Sequence, residues 1–332
     1  MSIAVATLRL SQRGLSMVEM LIAMAISLII SFGVVNLFLQ SKASFMQDEE
    51  ISRLQENGRW ALRFLSRELS MTGFYGNLVD GTSISTALPV ASDCGPGWAL
   101  NTAVPLEHLD NVTETAVLLN YLCMSAGEVL PGTDMVAIRR TKDSAAMLDG
   151  SSSATLVDEA VYLRLEQFGN SAELVRGSGL ALTDKTPGSG VDSWEYQPQL
   201  LFIRPYANTP GDGIPTLCTR KLTRDAATLG IDTAECLVEG VENLQLEYGL
   251  DSSEPADYSA DYYTSSPTAA ELRQAVNARI YVLARSVNEV NGYLNDKSYQ
   301  LGNTAVAAAN DGFYRRVMQT TVVLRNGDIY GF

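Results

Sequence analysis

A carboxylate five residues past Gly14, Glu19, is the only charge in an apolar run that reads LSMVEMLIAMAISLIISFGVVNLFL from Leu15 to Leu39. At ~1.5 Å rise per residue, a helix of this length crosses a ~30 Å hydrocarbon layer. An ionisable group in such a helix costs roughly 2.5 kcal/mol or more at the centre and less near an end, so by default it marks a function or a partner. A cation placed beside it attracts it far more strongly than in water, and each ion offsets the other's desolvation. Left without a partner, the same carboxylate takes up a proton.

The other residues able to do chemistry lie beyond this run. Cys94, Cys123, Cys218 and Cys236 are even in number and sit in a segment expected outside the cytoplasm, which favours disulfides. Of the three connectivities, the sequential one, Cys94 with Cys123 and Cys218 with Cys236, closes the shortest loops. Metal binding is disfavoured because no pair has CxxC spacing and His108 is the single histidine. His108, in VPLEHLD, reads as a surface-loop residue, and no G-x-S-x-G element, phosphate loop or HExxH helix accompanies it, so no enzyme activity and no catalytic residue are expected. The acidic run Asp251, Glu254, Asp257 and Asp261 has oxygens enough for calcium but lacks the alternating ligands and central glycine of a calcium loop. It reads as a solvated loop, and no cofactor is expected. Its neighbours Tyr258, Tyr262 and Tyr263 read equally as an exposed contact patch or as buried sheet residues.

The elements that position these groups follow from patterning. Arg9, Arg13 and Gly14 precede the apolar run, whereas a secretory signal puts its small residues after the apolar core. Cleavage at Gly14 therefore removes a leader, residues 1–14, and keeps the helix. Past Leu39, Ile51, Leu54, Gly58, Ala61, Leu65, Leu69 and Thr72 recur at three- and four-residue steps, with Asp48, Glu49, Arg53, Glu56, Arg59, Arg63, Arg67 and Glu68 mostly on other faces. No proline interrupts residues 15–88. One helix from Leu15 to about Thr72 is expected, with Gly58 packed closely against a strand.

The leader and apolar run resemble the class III signal of type IV prepilins and the related pseudopilins. The stretch ISRLQENGRWALRFLSRELSMTGFYG, residues 51–76, together with VENLQLEYGLD from Val241, ARIYVLARS from Ala278 and the run from Phe313 to Asn326, is similar to the PilW family of minor pilins. The resemblance implies cleavage after Gly14 by a prepilin peptidase and N-methylation of Leu15, where the family more often has Phe or Met. It places Glu19 as the fifth mature residue, facing the terminal amine of a neighbouring subunit. It implies an α+β, pilin-like fold in which a long membrane-spanning helix packs by its second half on a mainly antiparallel β-sheet head. The organisation is then leader 1–14, transmembrane or filament-core half 15–39, amphipathic half 40–75, and an extracytoplasmic head 76–332. Implied partners are the major pilin, other minor pilins, the inner-membrane assembly platform and a PilY-type tip adhesin, and the implied role is to prime or cap a pilus. J-type minor pseudopilins of type II secretion share a looser version of the pattern and stand as the alternative, beside a membrane-anchored periplasmic ligand-binding domain.

Composition agrees with an exported head on a stalk. Of 332 residues, 46% are hydrophobic and 19% charged, enough to bury a core in one large or two small units. The net charge is −14, and loss of Arg9 and Arg13 with the leader takes it to −16. Such a surface repels nucleic acid. In the two adjacent basic pairs, Arg139-Arg140 and Arg315-Arg316, strand alternation is expected to send one arginine outward and its neighbour inward or to an edge. Strands are expected at Met135 to Ile138, Ala160 to Phe168, Leu200 to Ile203, Leu244 to Tyr248, Ile280 to Ala284 and Gln319 to Leu324, with a short helix from Thr268 to Val276. Asn77 to Pro105 and Leu180 to Pro198 read as long, turn-rich loops, and Ser151 to Thr155 as a short one.

Overall fold

A computed structural model describes residues 14, 16–78, 83–151, 156–167, 171–223 and 228–326. Leu15, the leader residues before Gly14, Phe168 and the serine-rich positions 152–155 lie outside the described residues. The chain divides into two units, Met1–Glu49 and Glu50–Phe332.

The first element is helix α1, Met17–Ser70. Leucine, methionine and alanine are strong helix formers, and no proline opposes them. In the first unit its apolar side chains are exposed, including Met20, Leu28, Phe32 and Phe38. An 18-residue window has mean hydropathy 2.4 with none of it buried, so by length and composition α1 can cross a membrane. The helix ends before Gly73, whose φ of 73° is the left-handed conformation that glycine supplies without steric cost.

The second unit is β-rich. Its elements are β1 (Ser85–Thr86), β2 (Val90–Ser92), β3 (Leu106–Leu109), α2 (Glu114–Asn120), β4 (Met135–Thr141), β5 (Val161–Glu166), β6 (Ala172–Arg176), β7 (Val191–Arg204), β8 (Thr216–Lys221), β9 (Leu229–Gly230) and β10 (Glu235–Glu239). There follow β11 (Val241–Leu250), β12 (Tyr262–Thr264), α3 (Ala269–Arg273), β13 (Ala275–Arg285), β14 (Tyr299–Leu301), β15 (Thr304–Val306) and β16 (Arg315–Val323). One sheet runs β1-β6-β5-β7-β4-β3, with β8 on β7 and β10 on β8; a second runs β12-β11-β13-β16. Pairing is antiparallel except for the short parallel contacts of β1 with β6 and β2 with β9. The fold is thus the α+β, pilin-like arrangement expected from the sequence.

Two cores flank the first sheet. Alternation along β4 sends Val136 and Ile138 to one face and Met135 and Ala137 to the other. The first face meets Ala61, Leu65 and Leu69 of α1 together with Leu244, Leu246, Ile280 and Val282 of the second sheet. The opposite face is covered by Trp98, Leu100, Val112, Val117 and Tyr121 from the loops and α2. The second half of α1 packs closely at Gly58: a Cβ there would lie 2.7 Å from Met318 Sδ and 3.1 Å from Ala284 Cβ, so any larger residue would have to push the Met318 side chain aside and press on β13.

Two expectations are corrected. The stretch from Leu180 to Pro198 is not all loop, because β7 starts at Val191. Both faces of β7 are covered, so its acidic residues are buried and paired, Asp192 accepting from the Asp149 amide at 2.8 Å and Glu195 meeting Lys142 Nζ at 2.5 Å. That pairing hides the alternation that exposure normally writes into a strand. Pro198 is tolerated where β7 changes partners, pairing β5 through Glu195 and β8 from Gln199 onward. The helix expected to reach Val276 is shorter, Ala269–Arg273, started by a Thr268–Glu271 capping box, and Val276 already belongs to β13.

Candidate functional site

At the start of α1 the Ser16 N–H donates to Glu19 Oε2 at 2.8 Å, and the Val18 N–H donates to Ser16 Oγ at 3.3 Å. The pair forms a reciprocal cap of the capping-box kind, satisfying two of the amides that a helix leaves unpaired at its first turn. The Ser-x-x-Glu spacing at 16–19 is a sequence signal for this local role, and the sequence reading, which assigned Glu19 only an intermolecular partner, missed it. Both residues are exposed. Gly14 is exposed as well, and among the described residues nothing lies within 4 Å of where its Cβ would stand. Leu15, the predicted new terminus and methylation position, is outside the described residues.

In the head, Cys94 is bonded to Cys123 and Cys218 to Cys236. The first bridge fastens the loop before Trp98 to the turn after α2, where the Leu122 N–H also donates to the Cys94 carbonyl at 2.8 Å. The second joins directly opposed residues of β8 and β10. Among the described residues no group of three His, Cys, Asp or Glu side chains is placed to hold a metal ion.

The arginine pair of β4 departs from expectation. Neither Arg139 nor Arg140 faces solvent, because both faces of β4 are covered. Arg139 donates to the carbonyls of Trp98 and Val104 and to Glu107 Oε1 at 2.7 Å, with its guanidinium 4.7 Å from the Trp98 ring centroid. Arg140 points the other way, to α1, and meets Glu68 through two hydrogen bonds of 2.8 and 2.9 Å. Gln199 donates to the same Glu68 carboxylate. In the other pair Arg315 is held by Glu242 and Asp311 while Arg316 is exposed, as alternation predicts.

His108 is not a loop residue. It lies on β3 with its side chain fully buried, its Nε2 3.1 Å from Asp134 Oδ2. Asp134 also accepts from the Asn111 and Leu246 amides at 2.9 and 2.7 Å, and its own N–H donates to the Leu244 carbonyl, so it fastens the first sheet to the second. Burial pushes the Asp134 carboxyl up, against the hydrogen bond from His108. The other hydrogen bonds to the Asp134 carboxylate come from backbone amides, and the geometry of the pair is that of an inter-sheet clasp.

The acidic loop uses its carboxylates internally. Asp251 accepts from the Ser253 and Tyr258 amides at 2.9 and 2.7 Å, and Asp261 from the Ser252 amide and hydroxyl, both at 2.8 Å. These bonds hold both carboxyls below their ordinary range. Of the three tyrosines, Tyr258 and Tyr262 are exposed, and Tyr263 is covered by the Arg279 guanidinium 3.4 Å from its ring centroid.

Comparison with known families gives two matches. Residues 204–326 match the family of the type IV pilus-assembly protein W, PilW, and residues 9–35 match the prokaryotic N-terminal methylation motif. The resemblance read from the sequence is therefore borne out at both ends of the chain, and both matches are consistent with a PilW-family minor pilin. No curated protein and no solved structure matches the chain.

Proposed function

From the family matches at the two ends of the chain, we propose that it is a minor pilin that primes or caps a type IV pilus as part of a tip complex. The observation that carries this reading is the exposed apolar helix that begins one turn from Gly14, with Glu19 at its third position, in a chain whose carboxyl half matches PilW. A prepilin peptidase cuts after Gly14, and Leu15 becomes the methylated terminus. The cap then opens to a second use of Glu19: its carboxylate pairs with the terminal amine of a neighbouring subunit, where low dielectric strengthens the attraction. Residues from Met20 to Leu39 supply apolar packing among the helices of the filament, and the head selects partners among the major pilin, other minor pilins and a PilY-type adhesin. Before assembly the chain rests in the inner membrane with a periplasmic head, where an oxidising compartment allows the two disulfides. Its work is assembly at the membrane platform, with no reaction of its own and no cofactor.

The test is intact mass and amino-terminal sequence of the membrane-extracted protein, with and without the peptidase, beside Gly14→Ala. Peptidase-dependent loss of residues 1–14, absent in the variant, is the expected result. An intact leader in every sample overturns the reading. Recovery of the processed chain from sheared pili distinguishes a pilus subunit from a subunit of a secretion pseudopilus.

A further inference from the structure

The second half of α1 turns a cationic, aromatic face to solvent, and among the described residues nothing covers this face. Trp60 is 40% exposed and stacks on Phe64, one turn further on, at 5.2 Å between ring centroids with 5° between the planes. Around it Arg53, Arg59 and Arg63 are exposed and make no ion pair or hydrogen bond among the described residues. Arg67 continues the row and meets Asp143 at 2.9 Å, with both side chains exposed. The acids of the same segment do not balance them. Glu68 is turned inward to Arg140 and Glu50 is held by Asn288 at 2.7 Å, which leaves Glu56, and Glu49 four residues before Arg53, as the exposed acids beside the row.

Two physical features separate this face from an ordinary solvated one. Arg59, Arg63 and Arg67 are spaced four residues apart, an arrangement of like charges that works against an isolated helix. The row also lies on a chain of net charge −14, so the positive charge is concentrated against the trend of the whole molecule. Tryptophan and arginine are the residues that most often anchor interfaces, the ring by burial and the guanidinium by paired hydrogen bonds to carboxylates.

We propose that this face of α1, centred on Trp60 and flanked by Arg53, Arg59 and Arg63, docks the carboxylate-rich head surface of a neighbouring pilin-type subunit. The occupant is chosen by charge: three unpaired guanidiniums want carboxylates, and an exposed ring wants a partner that excludes water from it. The contact is heterologous, helix face to head, the kind that propagates along a filament rather than closing into a dimer. The inference rests on the minor-pilin reading above and names the partner chemistry of a surface which that reading leaves open.

The full chain carrying Glu56→p-benzoylphenylalanine is expressed in pilus-forming cells, irradiated, and the cross-linked peptides are identified by mass spectrometry. The expected result is a cross-link to an Asp- and Glu-rich head peptide of another chain with a prepilin leader. Yield falls about tenfold when Arg53, Arg59 and Arg63 are reversed to Glu, and several-fold with Trp60→Ala. Because these side chains are exposed, the thermal midpoint stays within a few degrees of the parent, and that measurement separates lost docking from lost folding. Cross-links confined to lipid or to proteins without a prepilin leader, or a yield untouched by the reversal in a folded variant, overturn the proposal. Amino-terminal sequencing of the same samples reads leader cleavage independently, so failure of the pilin reading shows as an uncut leader and failure of the docking face as a cut leader with no charge-dependent cross-link.

Discussion

Glu68 of α1 and Arg140 of β4 meet as a two-bond ion pair buried between the helix and the first sheet, at 2.8 and 2.9 Å, with Gln199 of β7 donating to the same carboxylate. Both side chains are under 10% exposed, so the pair is largely removed from water. Its geometry fixes which turn of the helix faces which residue of the strand, a registry that apolar contacts alone leave loose. Removing one partner leaves the other charge buried. Glu68→Leu or Arg140→Met is expected to destabilise the head by about 3–5 kcal/mol, and the double variant by clearly less than the sum. Denaturant unfolding of the four proteins measures this, and additive losses would contradict a direct pairing.

At Glu19 the local and intermolecular roles separate by substitution. Glutamine can still accept from the Ser16 amide, so Glu19→Gln is expected to keep the start of α1, while Glu19→Ala weakens it by about 1 kcal/mol. If charge pairing drives assembly, both variants fail to enter the filament although both are cleaved after Gly14. Normal incorporation of Glu19→Gln in sheared pili would show that the cap alone matters.

Removing either disulfide as a Cys→Ser pair is expected to cost about 3 kcal/mol. The loops closed span 29 residues for Cys94–Cys123 and 18 for Cys218–Cys236, and chain entropy grows only slowly with loop length. Equilibrium unfolding of each variant beside the reduced parent checks this, with reduction matching the two losses combined.

Acid is expected to loosen the head from its surface inward. Backbone amides led by that of Ile214 hold the Asp212 carboxyl down at about 2 from an ordinary 3.8. Arg164 lowers Asp184 and Arg315 lowers Asp311 through direct hydrogen bonds. A carboxylate held low in the folded state adds stability above its ordinary value and loses it as pH falls through the folded one. The thermal midpoint should therefore drop between about pH 4 and pH 2, and Asp212→Asn should flatten that fall. Asp134 has the opposite sign: its carboxyl is pushed up, so protonation favours the folded state in acid. Asp134→Asn should accordingly lower stability at neutral pH by less than loss of three hydrogen bonds alone would suggest.

Periodicity made the helix and its buried stripe legible, because α1 from Leu54 to Leu69 has one wet and one dry face and the sequence records the difference. The central strands were legible by their apolar runs, but their limits were not. In β7 and β4 both faces are dry, so Glu195, Asp192, Arg139 and Arg140 survive there by pairing with residues far along the chain, and no local rule announces such partners. His108 was misread for the same reason: its acid, Asp134, arrives 26 residues later, from the position just before β4. The cap at Ser16 and Glu19, by contrast, is fully local, and the Ser-x-x-Glu spacing writes it into the sequence.

The covalent bridges of the head all belong to one side of it. Cys94–Cys123 ties the loops over the outer core, and Cys218–Cys236 staples the β8–β10 hairpin, while among the described residues the sheet of β11, β12, β13 and β16 contains no cysteine. That second sheet, which approaches α1 at Gly58, is held by packing and hydrogen bonds alone. Reduction therefore releases the loops over the outer core and the β8–β10 hairpin directly, and touches no covalent tie in the second sheet.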